Sequence, residues 1–245
     1  MIKHWFFFSV ALISAVGCAN SQPVDKNYLL GKFDPASHPA FSKLKDEHTQ
    51  GSARAGYLRK ETYEAFVNMS DAAKKEGVYL IIISATRNFE SQKRIWENKW
   101  EGRTQVEGKN LTTVKDPKER ARLILLYSSM PGTSRHHWGT DMDLNSLENK
   151  FFENGEGLKI YQWLVAHAAE YGFCQPYTSK ADGKRTGYEE EKWHWSYLPL
   201  SGKFLEEYKK SVSYKNIKGF AGSSVAENIL VIRDYVEGVG CVRIQ

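Results

Sequence analysis

The stretch Ser134-Arg135-His136-His137-Trp138-Gly139-Thr140-Asp141-Met142-Asp143 decides how the rest of the chain is read. Residues 130–139 carry Pro131, Gly132 and Gly139, the marks of a loop. Residues 140–144 then read as a short strand, on which side chains two apart share a face, so Asp141 and Asp143 point the same way. A catalytic zinc site takes three protein ligands and keeps a position for water. A loop histidine such as His136, followed by a strand aspartate such as Asp143, would supply two of them. A third would come from a distant segment, Glu191-Lys192-Trp193-His194-Trp195, where a strand is predicted over residues 192–198. Glu191 stands three residues before His194, close enough to face the same water as a proton acceptor without being a ligand.

Each of these residues alone has a plainer reading as a surface or hydrogen-bonded group, and His38, His48 and His167 keep it. His137 is expected to point away, since adjacent residues rarely serve one ion. Asp141 has two readings: it orients a ligand histidine from behind, or it bonds to loop amides.

Outward from this centre the chain mixes helices and short strands. Tyr63, Phe66, Val67, Ser70 and Ala73 predict a helix with one buried face over 60–76, stopped by Gly77. A buried strand follows at 78–83, then a polar helix at 89–99 and a polar loop at 101–115. Asp116, Pro117 and Glu119 form a helix start, with the helix running to 127. Residues 157–171 read as a helix burying Leu158, Tyr161, Leu164, Val165 and Ala168, and Ser224 with Glu227 caps another ahead of Ile229, Ile232 and Val236. Without a regular strand–helix alternation, the class is α+β rather than a doubly wound parallel sheet.

At 245 residues the chain suits one sizeable domain. A net charge of +5 is spread along it, with no dense basic block interleaved with aromatics, which argues against nucleic acid as a partner. Lys3 and His4 precede an apolar run over 5–16 and then Gly17-Cys18, the build of an export signal and too short for a membrane anchor, which needs about 20 residues. Ala15-Val16-Gly17-Cys18 resembles a lipobox, making Cys18 a candidate for acylation, with ordinary cleavage after Ala19 as the alternative. The expected division is a signal over 1–18, a tether and loop over 19–40 and a domain over 41–245, exported to the periplasm or cell envelope. Outside the cytoplasm Cys174 and Cys241 are candidates for one disulfide, or for two buried thiols.

Taken together, the motifs resemble the zinc D-alanyl-D-alanine carboxypeptidases of the VanY type, relatives of L,D-carboxypeptidases, D,D-dipeptidases and the Hedgehog signalling domain. That family carries Ser-x-His-x-x-Gly-x-Ala-x-Asp and, later, Glu-x-Trp-His. Ser134, His136, Gly139 and Asp143 match the first motif and Glu191, Trp193 and His194 the second. Ser84-Ala85-Thr86-Arg87-Asn88, with Gln92, is similar to the family's upstream Ser-Gly-Tyr-Arg-Ser segment and its glutamine. The resemblance implies a Hedgehog-like single domain, a small antiparallel sheet flanked by helices, binding zinc through His136, Asp143 and His194. It further implies Glu191 as catalytic base, Arg87 as the group that steadies a substrate oxygen, and Ser134, Gln92 and Trp193 in substrate binding. Asp141 in place of alanine and Thr86 in place of an aromatic depart from the pattern and bear on specificity. The implied function is removal of terminal D-alanine from peptidoglycan stem peptides, with a monomer expected and membrane contact only through a lipid anchor if Cys18 is acylated. The alternatives are an L,D-carboxypeptidase, an endopeptidase or a non-catalytic wall-binding module.

Overall fold

The computed structural model describes residues 24–181, 183 and 185–241. The expected signal and Cys18 lie outside the described residues. Among these, no helix is long and apolar enough to cross a membrane.

The chain opens with a short helix, α1 (Lys26–Leu29), begun by the Asp25 carboxylate, which accepts from the Asn27 amide. Within the tether and loop expected over 19–40, Tyr28, Leu29 and Leu30 are instead buried in the core. Strands β1 (Phe41–Lys43) and β2 (Tyr57–Arg59) form a two-stranded antiparallel ribbon. Helix α2 (Lys60–Lys75) buries Tyr63, Phe66, Met69 and Ala73. Val67 and Ser70, expected on that face, lie at its margins.

The main sheet is antiparallel throughout, in the order β3-β4-β6-β5. Strand β3 (Ile82–Ser84) is shorter than the expected 78–83. It stands at the edge of this sheet, bridged on its outer side by Thr49, and its strand neighbour, β4 (Asp141–Leu144), ends opposite Ile82, so residues 78–80 have no strand to pair with although Val78 and Leu80 are buried. Helices α3 (Phe89–Trp100) and α4 (Pro117–Ile124) follow. Asp116 caps α4, but through the Lys118 amide, and the helix stops short of 127.

Helix α5 (Gly155–His167) buries Gly157, Ile160, Trp163 and Leu164. Val165 is 60% exposed, because the stripe 157, 160, 164 and 168 leaves it on the outer side. Strands β5 (Phe173–Cys174) and β6 (His194–Tyr197) complete the sheet, and α6 (Leu198–Ser211) runs off β6. The expected capped helix over 224–236 does not form: a 3-10 turn at Ser223–Val225 is separated from a π-helical turn at Ile232–Val236 by Leu230 at φ +54°. Ile229, Val231, Ile232 and Val236 are all buried, so packing on several sides overrides the local helical signal.

The sheet divides the molecule. Met142, Leu144 and Trp195 face a core built with α2 and α5. A second core gathers α1, α3, α4, α6 and the C-terminal turns. The alternation along β4 and β6 puts Asp141, Asp143, His194 and Ser196 on the other face of the sheet.

Candidate active site

Register brings the site together. β4 pairs with β6 so that Asp143 stands opposite His194 and Asp141 opposite Ser196. His136 arrives from the 3-10 turn Arg135–Trp138, closed by Gly139 at φ +71°. A Cβ on Gly139 would lie 2.4 Å from the Phe41 ring, so both the backbone shape and the close approach require glycine.

His136, Asp143 and His194 are all buried and offer ligand atoms within 4.8 Å of one another. His136 Nε2 lies 3.3 Å from Asp143 Oδ1, and His194 Nδ1 lies 3.2 Å from the same oxygen. Ligand bonds of about 2.0–2.1 Å in a tetrahedron give edges of roughly 3.3 Å, so these spacings fit one zinc-sized ion. His136 Nε2 and Asp143 Oδ1 are buried without a hydrogen-bond partner, a costly state that a cation relieves. The donor set therefore fits a metal.

The opposite ring nitrogens are anchored. His136 Nδ1 donates to the Ala85 carbonyl at 2.9 Å, which leaves Nε2 facing the other ligands. His194 Nε2 donates to Asp141 Oδ2 at 2.9 Å, which leaves Nδ1 facing them. Asp141 thus stands behind His194, the arrangement that the first of its two sequence readings requires. The same carboxylate accepts from Arg135 Nε at 2.9 Å, Ser196 Oγ at 2.9 Å and Thr140 Oγ1 at 2.7 Å. Burial pulls the Asp141 pKa upward, but Arg135 and His194 outweigh it and hold the carboxyl well below its usual range. Asp143 is likewise held down, against burial, by His136 and His194. Arg135, Thr140, Ser196 and Ser201, whose hydroxyl lies 2.9 Å from that of Ser196, were not legible as site residues in the sequence. Their only signal was the two-residue period of 194–196, which put Ser196 on the face of His194.

Glu191 Oε2 lies 3.3 Å from His194 Nδ1. Burial raises the Glu191 pKa, with His194 opposing, and that poises a carboxylate for proton transfer. Arg87, on the loop from β3 to α3, bonds to Ser84 Oγ at 3.2 Å and stands 3.9 Å from Asp143 Oδ2. These groups line a cleft of about 620 Å³, with Trp193, Tyr127 and Lys99 on its walls.

Of the other expected residues, Trp193 reaches the cleft wall, whereas Ser134 and Gln92 are buried outside the cleft lining. Gln92 Nε2 donates to the Ser129 carbonyl and so ties α3 to the loop that leads to His136. His137 points away: its Nδ1 meets the Arg87 carbonyl at 2.6 Å and its Nε2 accepts from the Gly132 amide. Burial pushes its pKa down to about 3, so it is a neutral structural residue. Cys174 and Cys241 are joined by a disulfide.

Residues 55–200 match the family described as VanY, D-alanyl-D-alanine carboxypeptidase. The chain is similar to the protein YodJ of Bacillus subtilis (strain 168), 33% identical over 144 residues that cover 58% of this chain and 46% of that one. It is also similar to a D-alanyl-D-alanine carboxypeptidase of Enterococcus faecalis (strain ATCC 700802 / V583), 28% identical over 149 residues, 58% of this chain and 51% of the relative. The chain spans about half the length of the curated relatives it matches. In fold it is similar to VanYB solved in complex with D-alanine-D-alanine, with a TM-score of 0.50 and 21% identity, covering 73% of this chain and 93% of that one.

Proposed function

The chain belongs to the VanY D-alanyl-D-alanine carboxypeptidase family, and from that premise we propose that it is a zinc peptidase removing the C-terminal D-alanine of peptidoglycan stem peptides. The observation that carries this reading is the buried His136–Asp143–His194 group with the Glu191 carboxylate set against His194 in an open cleft. Its wider setting is an exported protein, a reading the Cys174–Cys241 disulfide supports.

His136, Asp143 and His194 would hold the zinc. Bound there, the ion supplies Lewis acidity, which polarises the scissile carbonyl and makes water acidic enough to attack near neutral pH. The chain's own groups do the rest. Glu191 accepts a proton from the attacking water and returns it to the nitrogen of the departing D-alanine. Arg87 places its guanidinium where the carbonyl oxygen gains negative charge, and preorganised charge of this kind is usually the largest catalytic contribution. Trp193 and Tyr127, with ring centroids 6.1 Å apart, form an apolar wall beside the peptide.

The test compares the parent with Glu191→Gln. The variant is expected to keep one zinc per chain while D-alanine release from a D-Ala-D-Ala pentapeptide falls by about 100- to 10,000-fold. His136→Ala or His194→Ala is expected to lose the metal as well. Release from an L,D-linked tetrapeptide alone would move the assignment to an L,D-carboxypeptidase. Binding of stem peptides by the parent without any product would replace the enzyme by a binding module.

A further inference from the structure

The cleft holds a cation that the chemistry above does not use. Ile95 and Lys99, one turn apart on α3, both face into it. Lys99 is partly buried, and its ammonium donates to Ser128 Oγ at 2.5 Å. Among the described residues no carboxylate lies within ion-pair distance of it, whereas its helix neighbour Lys93 pairs with Glu97. Burial and the nearby Arg87 pull the Lys99 pKa down, against the Glu191 carboxylate of the same cleft, which pulls it up. Glu107, Glu148 and Lys150 also border the cleft, but all three are exposed on its rim. A half-desolvated ammonium that bonds a hydroxyl and has no carboxylate within ion-pair distance among the described residues gains more from an incoming anion than a hydrated surface charge does.

Position suggests which anion. On one side of Arg87 the groove continues into a hollow of about 430 Å³ bordered by Ser91, Arg94 and Asn98, room for the body of a peptide. Gln105 and Val106, from the loop that follows α3, border the same cleft as Lys99. A cation set beside such a wall suits the end of a chain more than a passing one.

We infer that Lys99 is the specificity residue that anchors the free C-terminal carboxylate of the substrate, in the cleft beside Arg87 and Ser128. The inference deepens the proposed function and rests on it. It makes the protein a carboxypeptidase in the strict sense, selecting a chain terminus, rather than an endopeptidase that accepts a continuing peptide. Arg94, a further cation along the groove, is exposed and already donates to Ser91 Oγ, and Lys150 is exposed on the rim, so both gain less from the same anion.

The experiment uses N-acetyl-Lys-D-Ala-D-Ala as free acid and as C-terminal amide. The readout is the ratio of kcat/KM for acid over amide in the zinc-loaded parent, Lys99→Met and Lys99→Arg. The parent is expected to favour the acid by about 10- to 100-fold, the worth of one charge-assisted hydrogen bond. Lys99→Met should bring the ratio close to one and Lys99→Arg should keep most of it. A parent that cleaves both peptides equally, or a ratio unchanged in Lys99→Met, overturns the inference and leaves the peptidase reading standing. If the parent cleaves neither peptide, the peptidase reading fails. Calorimetric binding of the two peptides to Glu191→Gln with and without Lys99→Met then decides Lys99. An acid preference that disappears with Lys99 supports the anchor, and equal or absent binding overturns it.

Discussion

At the scale of single residues, Asp141 shows how one side chain can matter without touching a metal. Its carboxylate gathers His194, Arg135, Ser196 and Thr140, and every one of those donors is buried with it. The bond to His194 Nε2 selects the tautomer whose Nδ1 is free to ligate. Arg135 cancels the charge that Asp141 would otherwise bring unpaired into the interior, and the two are 2% and 0% exposed. Asp141→Asn keeps the shape but removes the negative charge beside Arg135 and His194 and turns one of the two acceptor oxygens into a donor. We expect zinc affinity to fall by about 10- to 100-fold, measured by chelator competition. The metal-free protein should lose roughly 3–5 kcal/mol, measured in urea, because a buried arginine is left without its partner. The double variant Arg135→Met/Asp141→Ala separates the two roles: stability should largely return while zinc affinity stays low. Unaltered affinity in Asp141→Asn would remove the orienting role.

At the scale of elements, α1 is the least expected contributor. Four residues long, it would not persist alone. It is held because the Tyr28 hydroxyl donates to the Trp138 carbonyl at 2.5 Å and Trp138 Nε1 donates to the Leu29 carbonyl at 3.1 Å. These two bonds fasten the turn that presents His136. Leu29, fully buried, packs the same junction. Leu29→Ala is expected to cost about 2–5 kcal/mol by denaturant titration, the range for a leucine removed from a packed core. A loss under roughly 0.5 kcal/mol, the size of a surface substitution, would return this segment to the status of a tether. α3 is the complementary case: Gln92 and Trp96 are buried, while Ile95 and Lys99 face the cleft, so one helix serves both core and site.

At the scale of the whole molecule, the sheet separates an apolar core from a polar site, and the disulfide ties the C-terminal turns back to β5. Cys174 and Cys241 are 67 residues apart in sequence and their Cα atoms lie 6.0 Å apart. Closing a loop of that length restricts the unfolded chain by about 4 kcal/mol in the chain-entropy account. Cys241→Ser, or reduction of the parent, should therefore lower the denaturation midpoint clearly, and the bound metal should survive because the ligands lie in β4, β6 and the turn before β4. An identical midpoint with and without reductant would mean that this link adds nothing to stability.

Sequence alone settled the parts of this protein that depend on local order. The ligand trio stands in two short segments that one reading of the sequence picks out, with Glu191 beside it, whereas Arg87 was named only through the family resemblance; α2 carries a period that a single segment reveals. Tertiary structure decided whatever depends on a neighbour distant in the chain. β3 is short because its partner ends, a matter of register that residues 78–83 cannot express. Residues 224–236 fail to become a helix because their apolar groups are buried on more than one side, while their local capping signal is worth only about 1 kcal/mol. The same holds in the site. Asp141 had two readings until β4 and β6 came into register, and Lys99 was one lysine in a polar helix until α3 was laid along the cleft. A hydrogen bond or an unpaired charge is a relation between residues that only the folded chain brings within 3 Å of each other, about the length of such a bond.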